Sequence, residues 1–262
     1  MNKLISRRRK LKQKFSKREK IFAAWSSLAH PSITEMFCKA PFDFVVADLE
    51  HTTISQEECQ RIIAAAQAEE ALCLPRIASH NMEMIKRVLD SGADGIIVPM
   101  IETEEQAERI VEFAKYPPLG KRSYGVSRAH GYGFDFDQNT KTWNSSSTIL
   151  VQIESIKGVE NIESILSCKE IDGVMVGPYD LSGSLNIPGQ LDHPLVKKAE
   201  KKIIDACGKY HKPCGTHIVE ANRKNTISAF STGYTFAVLS SDIFVLWKWG
   251  ESVTDLMSQL KL

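Results

Sequence analysis

Eight short runs of mainly apolar residues alternate with longer helical patterns along almost the whole chain. Strands that alternate with helices in this way predict βα units and a parallel sheet, so this feature constrains the fold more than composition does. The predicted strands are Ile21–Trp25, Phe44–Asp48, Leu72–Arg76, Gly95–Val98, Ile149–Ile153, Gly173–Gly177, Pro213–His217 and Phe236–Ser240.

Helical patterns fill most of the intervals between these runs. One of them opens on a capping box, with Ser55 followed three residues later by Glu58. Residues 116–147 show no such pattern, and a loop of that length in a small domain is typically functional. The predicted helices are Ser55–Glu69, Asn81–Ser91, Thr103–Ala114, Gly158–Leu166, Pro194–Tyr210, Glu220–Thr232 and Ser252–Leu260.

Eight is the number of βα units that closes a (β/α)8 barrel. An open doubly wound sheet is the alternative, but the chain has no GxGxxG or GxxxxGK turn. With 262 residues, 43% of them hydrophobic, the chain can bury one large core. We therefore predict an α/β protein with a single (β/α)8 TIM barrel over residues 21–262, preceded by a basic helical segment at residues 1–20.

The basic segment contains ten Lys or Arg residues and one acid, although the whole chain has a net charge of only +1. Such a segment could contact the phosphates of nucleic acid or membrane. Alternatively, it is a solvated helix, because Leu4, Leu11 and Phe15 recur at helical spacing. We favour the solvated helix and expect neither a nucleic acid nor a membrane partner.

Two further features bear on localisation. No apolar run reaches the roughly 18 residues of a membrane span, and the start of the chain lacks a signal-peptide core. The six cysteines form no CxxC pair and no zinc-like spacing. A reduced, cytoplasmic protein is the simplest expectation.

Polar residues gather where the predicted strands end. In a (β/α)8 barrel these carboxyl-terminal ends carry the chemistry, and a purely structural barrel has no need of acids, an arginine and histidines there. The residues at or just after the strand ends are Trp25, Asp48, Glu50, His51, Arg76, Pro99, Gln152, Glu154, Asp180, His217, Ser240 and Asp242.

Glu154 and Asp180 follow neighbouring strands, so their carboxylates are expected to converge. Such a pair suits a general acid and base, or the ligands of one hard cation. Arg76 favours an anionic substrate, and with a cation it would stabilise the enolate of a 2-keto acid. No lysine lies at a strand end, which argues against Schiff-base catalysis.

Five segments, in order, resemble the HpcH/HpaI aldolases, which are class II, metal-dependent pyruvate aldolases. The resemblance extends over roughly residues 10–250. The matching segments are FDFVVADLEHTTIS (42–55), PRIASHNMEMIKRVLDSGADGIIVPM (75–100), KYPPLGKRSYG (115–125), LVQIES (150–155) and DGVMVGPYDLSGSL (172–185).

The resemblance implies a role for each residue of the site. Glu154 and Asp180 would bind a divalent metal ion, Mg²⁺, Mn²⁺ or Co²⁺. Arg76 would bind the keto oxygen of pyruvate and its enolate. His51 would be the acid–base residue, oriented by Asp90 as a dyad.

The remaining implied residues would bind substrate. Gln152 would lie beside the metal, and the backbone of Gly177, Pro178 and Tyr179 would cradle the pyruvate carboxylate. Position 179 is often small in the family, so the ring of Tyr179 either narrows the pocket or packs on the rim.

The expected function is the reversible cleavage of a 4-hydroxy-2-keto acid to pyruvate and an aldehyde, either a semialdehyde or a sugar-like aldehyde that gives a 3-deoxy-2-ketoaldonate. Oxaloacetate decarboxylation and condensation of phosphoenolpyruvate are alternatives, and so is a non-catalytic binding protein. Arg128, His130 and Tyr132 are expected to contact the aldehyde or to fill a subunit interface, and His217 is read as a packed histidine. The family resemblance also implies a homo-oligomer, with a hexamer favoured and a carboxyl-terminal helix that packs on a neighbour.

Overall fold

Eight parallel strands curl into a nearly closed barrel in the computed structural model, which describes residues 3–260. The strand order is β3-β2-β1-β8-β7-β6-β5-β4, and the two edge strands meet where Arg76 bridges Asp48 on one side and Ile97 on the other. The predicted barrel is thereby confirmed. The strands are β1 Ile21–Ser26, β2 Phe44–Ala47, β3 Leu72–Cys73, β4 Gly95–Val98, β5 Thr148–Ile153, β6 Gly173–Val176, β7 Cys214–Ile218 and β8 Phe236–Ser241.

The third strand is shorter than predicted because Pro75 has no N–H to donate to the ladder. Hydrogen bonds to β2 continue on both sides of the proline, from Leu74 N to Val45 O and from Arg76 N to Ala47 O, each 2.9 Å. The chain therefore stays extended as far as Arg76.

Helices cover the outside of the barrel, and among residues 3–260 none is long and apolar enough to cross a membrane. The capping box of Ser55 and Glu58 is present. The predicted helix Gly158–Leu166 is interrupted at Asn161, and the last helix begins ten residues earlier than predicted because it continues through Gly250. The helices are α1 Lys3–Ser16, α2 Pro31–Cys38, α3 Gln56–Ala68, α4 Met82–Asp90, α5 Glu104–Ala114, α6 Phe136–Ser146, α7 Ile156–Glu160, α8 Ile162–Ser167, α9 Pro178–Ser184, α10 Pro194–Lys209, α11 Arg223–Thr232 and α12 Asp242–Leu260.

The stretch 116–147, predicted to be irregular, contains a 3₁₀ segment at Arg128–Gly133 and helix α6. Buried Trp143 fixes α6, since its indole nitrogen donates to the carbonyl of Ala114 over 2.8 Å. The stretch begins after α5 has returned from the carboxyl-terminal end of β4, and it leads into β5. Both of its ends therefore lie at the amino-terminal end of the barrel.

The amino-terminal helix closes that same end of the barrel. Leu11 and Phe15 join the cluster of side chains inside the barrel, and the Phe15 ring lies 6.1 Å from that of Phe44 and 5.5 Å from that of Phe236. The predicted amino-terminal helix is confirmed, but it is not fully solvated, because one face of α1 completes the core.

Basic residues of α1 anchor it to acids that precede the strands. Arg8 and Asp94 are both buried, and Arg8 Nε donates to Asp94 Oδ1 over 2.6 Å. Lys12 pairs with Asp172 at 2.7 Å and Lys14 with Asp43 at 2.5 Å. Much of the positive charge of this segment is therefore balanced within the chain, which weakens the case for a polyanion partner.

Candidate active site

Arg76 lies at the centre of the carboxyl-terminal mouth of the barrel. Its Nε and Nη2 donate to the two carboxylate oxygens of Asp48 over 2.9 and 2.7 Å, and its Nη1 lies 2.9 Å from Glu50 Oε2. The guanidinium carbon stacks 4.7 Å from the centre of the Trp25 ring. Burial alone would raise the pKa of Asp48, but the hydrogen bonds and charge of Arg76 outweigh burial and lower it. Because the guanidinium of Arg76 binds two carboxylates, its orientation is fixed.

Glu154, which follows β5, is a buried carboxylate among other acids. Its Oε1 accepts from the backbone N–H of Met100 over 2.7 Å, and its Oε2 accepts from Gln152 Nε2 over 3.2 Å. Burial, with the charges of Glu50 and Asp180, raises the pKa of Glu154 to about 7, against the lowering effect of the Met100 bond and of Arg76. A cation at this point would favour the ionised form.

Asp180 lies in the first turn of α9, and its charge acts on both Glu50 and Glu154. The end of β6 packs tightly against Glu154, because a Cβ added to Gly177 would lie 2.4 Å from Glu154 Oε2. The carboxylates that follow β5 and β6 therefore converge, as predicted from their positions. The exposed ring of Tyr179 packs on the rim, where a Cβ added to Gly189 would lie 3.6 Å from its hydroxyl.

These residues suit a hard divalent cation. Carboxylate oxygens are its preferred ligands, and Gln152 Oε1 is buried beside them without a hydrogen-bond partner. No group of three or more His, Cys, Asp or Glu side chains within residues 3–260 is placed to hold a metal ion. A cation here would be held by two protein carboxylates, and its other positions would remain for water and substrate.

His51 lies beyond β2 and opens onto the mouth. Its side chain is 65% exposed, and its Nε2 is 3.8 Å from Glu50 Oε2. Asp48 Oδ1 accepts from the backbone N–H of Glu50 over 3.1 Å and so fixes the turn that presents the imidazole. His51 is free to meet a substrate group that enters from solvent.

Asp90 does not orient His51 within one chain. Its Oδ1 accepts instead from Arg122 Nη2 over 2.8 Å. Because a helix runs back along the barrel, the last residue of α4 lies at the amino-terminal end, near buried Asp94, whereas His51 lies at the opposite mouth. The predicted dyad ignored this reversal of direction.

The long loop reaches the same amino-terminal end. Arg128 Nη1 donates to the carbonyl of Ser91 over 3.1 Å. The ring of His130 is buried, with Tyr116 Oη and Ser127 Oγ each 2.9 Å from one of its nitrogens. These residues therefore do not contact an aldehyde bound in the mouth of their own chain.

Two of the acids at the strand ends had no predicted role. Asp48 is the bidentate partner of Arg76. Asp242 joins β8 to the loop after β1, since its carboxylate accepts from the N–H groups of Ser27 and Leu28 over 2.9 to 3.0 Å. The available signal was an acid at a strand end, but which group it pairs with depends on the tertiary fold.

A parallel barrel with clustered acids and a rigid arginine at its carboxyl-terminal mouth is the arrangement found in TIM-barrel enzymes. Residues 22–248 match the model of the HpcH/HpaI aldolase/citrate lyase family, and the chain belongs to this family.

Curated relatives and a solved structure agree with this assignment. The chain is 32% identical over 244 residues to a hydroxypyruvate/pyruvate aldolase of Roseobacter denitrificans, covering 92% of this chain and 94% of the relative. It is 36% identical over 223 residues to a 5-keto-4-deoxy-D-glucarate aldolase of Citrobacter koseri, covering 84% and 85%. An HpcH/HpaI aldolase from Desulfitobacterium hafniense superposes with a TM-score of 0.85 at 28% identity, covering 94% of this chain and 96% of that one.

Proposed function

We propose that the protein is a divalent-metal-dependent aldolase that reversibly cleaves a 4-hydroxy-2-keto acid to pyruvate and an aldehyde. The observation that carries the proposal is the meeting of Arg76 with the acids Glu50, Glu154 and Asp180 in one mouth. The relatives named as pyruvate and ketodeoxyglucarate aldolases support the same reaction class.

The pyruvate half of the substrate would lie between β3, β5 and β6. Glu154 and Asp180 would hold the divalent cation, which when bound supplies Lewis-acid polarisation of the keto group. Gln152 would use its unpartnered oxygen beside them, and the backbone of Gly177, Pro178 and Tyr179 would receive the carboxylate.

Bond cleavage requires a base and a stabilised enolate. His51 would remove the proton of the C4 hydroxyl, so that the C4 oxygen becomes the aldehyde carbonyl as the C3–C4 bond breaks. The electron pair of that bond becomes the enolate of pyruvate, and the positive charge of Arg76 stabilises the enolate oxygen. Protonation at C3 then gives pyruvate.

Pyruvate release from a set of 4-hydroxy-2-keto acids tests the proposal. We expect release by the purified protein, loss after EDTA treatment, and recovery with Mg²⁺, Mn²⁺ or Co²⁺. Undiminished cleavage after complete metal removal would contradict the metal dependence, and no cleavage of any member with any metal would contradict the reaction.

We further propose that the chain forms a hexamer in which α12 packs on a neighbouring copy. Only Asp242 is buried in this 19-residue helix, while many of its large apolar residues are exposed. These residues are Ile243, Val245, Leu246, Trp247, Trp249, Leu256, Met257 and Leu260. Light scattering should give the mass of six chains for the wild type and a smaller assembly for Trp249→Glu. A monomeric wild type would contradict this proposal.

A further inference from the structure

The mouth has a second wall, formed by β7, β8 and β1, which contains none of the residues proposed to bind pyruvate. In the strand order, β7, β8 and β1 lie together, on the side away from β3 and β4. If pyruvate lies against Arg76, Glu154 and Asp180, the aldehyde half of the substrate must face this second wall. The side chains that define its character are therefore candidates for aldehyde selection.

His217 near the end of β7 is the main polar side chain of this wall. Its ring lies 5.2 Å from that of Trp25 and 5.5 Å from that of Phe244, measured between ring centres. The charges of Arg76 and Asp48 act on the imidazole. Trp25 contacts both Arg76 and His217, so the two walls share this ring.

His217 leaves one nitrogen without a partner. The backbone at Ser240, a residue with the left-handed φ of 64°, hydrogen-bonds the imidazole, whereas Nε2 is buried with no hydrogen-bond partner. Two other buried or half-buried histidines differ. Both nitrogens of His130 are bonded, and His80 Nε2 lies 2.6 Å from the carbonyl of Pro99.

The free nitrogen of His217 has the character of an acceptor. Burial, aided by the charge of Arg76, lowers the pKa of His217 to about 4, so the ring is neutral near pH 7. A neutral ring has one N–H, and because the backbone of Ser240 bonds the other ring nitrogen we assign this N–H to Nδ1, which leaves the lone pair on Nε2. A hydroxyl can donate to this lone pair, while a carboxylate would be repelled by it.

We propose that His217 determines specificity by accepting a hydrogen bond at Nε2 from a hydroxyl on the aldehyde half of the substrate. This inference rests on the aldolase function proposed above. The substrate class it names is a hydroxylated aldehyde, such as glycolaldehyde or glyceraldehyde, with the apolar faces of Trp25 and Phe244 against its carbon chain. A site with a buried acceptor discriminates strongly against an analogue that lacks the hydroxyl.

The test compares glycolaldehyde with acetaldehyde, which lacks only the hydroxyl, in condensation with pyruvate. The measured quantity is the ratio of kcat/KM for the two aldehydes. We expect His217→Leu to lower this ratio at least about tenfold, because leucine fills the space without an acceptor. His217→Gln should recover much of the ratio, since its amide oxygen reaches the position of Nε2, whereas His217→Asn should not.

A matched control is His80→Leu, which removes a second histidine near the mouth whose Nε2 is already occupied. It should leave the ratio within about twofold of the wild type. A ratio that is unchanged in His217→Leu, or equally lowered in His80→Leu, would overturn the proposal. A histidine with only a packing role would lower both aldehydes together and keep the ratio, which would also overturn it.

Exchange of the methyl protons of pyruvate in D₂O separates this inference from the function beneath it. We expect His217→Leu to retain exchange within about threefold, because the enolate forms against Arg76, Glu154 and Asp180 and not against His217. If His217→Leu exchanges the protons and its ratio of kcat/KM for the two aldehydes is unaltered, only the proposed role of His217 is contradicted. A wild type that neither exchanges nor condenses would remove the aldolase function itself.

Discussion

The two ends of the barrel contain the same kinds of residues but use them differently. At the amino-terminal end, Arg8 and Asp94 form a buried pair, and Asp94 also accepts from the N–H of Cys73 over 2.9 Å. At the carboxyl-terminal mouth, Arg76 binds two acids, yet Gln152 Oε1 and His217 Nε2 are buried without partners. Arg8 and Asp94 pair with each other at one end, whereas the unpartnered atoms at the other end face the mouth where a ligand would bind.

Two histidines, one at each end of the barrel, show the same difference. His130 is bonded at both nitrogens and locks the long loop, whereas His217 keeps one nitrogen free in the mouth. An unpaired buried polar atom costs free energy, and a ligand bound in the mouth would recover that cost at Gln152 and His217. The amino-terminal end is therefore expected to determine stability and the mouth to determine chemistry.

The largest expected effect is at the paired carboxylates of the mouth. Glu154→Gln and Asp180→Asn should each lower aldol cleavage at least about 1000-fold, roughly 4 kcal/mol of transition-state stabilisation, because the cation keeps only one protein ligand. Calorimetric titration should show weakened metal binding, while thermal unfolding stays near the wild type. Glu102→Gln, which alters an acid bonded to Ser155, is the control and should keep metal affinity. Full activity in either site variant would exclude that carboxylate as a ligand.

At the amino-terminal end of the barrel, a substitution in the buried pair of Arg8 and Asp94 should change only the stability of the fold. Arg8→Ala leaves Asp94 buried without its cation, which should lower the free energy of unfolding by about 3 kcal/mol or more. Denaturant titration measures the loss, and metal affinity should be unchanged. Lys10→Ala, on the exposed side of the same helix, should change stability by less than about 0.5 kcal/mol. Equal effects of the two substitutions would mean that the buried pair does not anchor α1.

Arg76→Lys tests whether activity requires the planar guanidinium of Arg76 or only its positive charge. Lysine keeps the charge but cannot bind Asp48 and Glu50 together while stacking on Trp25. Cleavage and methyl-proton exchange should both fall more than about tenfold, which is roughly 1.4 kcal/mol. Arg87→Lys, at an exposed arginine of α4, should have no effect. Wild-type exchange in Arg76→Lys would remove the geometric role of the guanidinium.

A further effect, on stability rather than on activity, concerns pH and His217. The folded protein holds this ring neutral down to about pH 4, whereas the unfolded chain protonates it near 6.5. The unfolded state therefore binds more protons between these values, and stability falls as pH decreases through this window. Between pH 7 and 4.5, wild type should lose about 2 kcal/mol more of its unfolding free energy than His217→Asn. Parallel stability curves would show that the ring is already charged in the fold.

Most of the barrel could be predicted from sequence because each parallel strand is a short apolar run between helical patterns. The break at Pro75 and the burial of α1 could not, since both depend on which neighbours the chain meets. The first depends on the ladder with β2, and the second on a core that Leu11 and Phe15 complete from outside the repeating units.

The site was predictable to the extent that it follows strand ends. Arg76, Gln152, Glu154 and Asp180 were proposed by this rule, and the fold brings them to one mouth. Within one chain, Asp90 lies apart from His51 because the end of α4 is at the opposite side of the barrel from the strand ends. For loop residues such as His130, contact with an aldehyde in the mouth of the same chain is excluded for the same reason, while a place in a subunit interface stays a prediction.

The most direct test of the account is exchange of the methyl protons of pyruvate in D₂O, followed by NMR on the wild type with no aldehyde present. This measurement isolates enolate formation at Arg76, Glu154 and Asp180 from the choice of aldehyde. We predict exchange with Mg²⁺, Mn²⁺ or Co²⁺, loss with EDTA, and loss in Glu154→Gln with metal present. Exchange that persists at the wild-type rate in Glu154→Gln, or after complete removal of metal, would contradict the account.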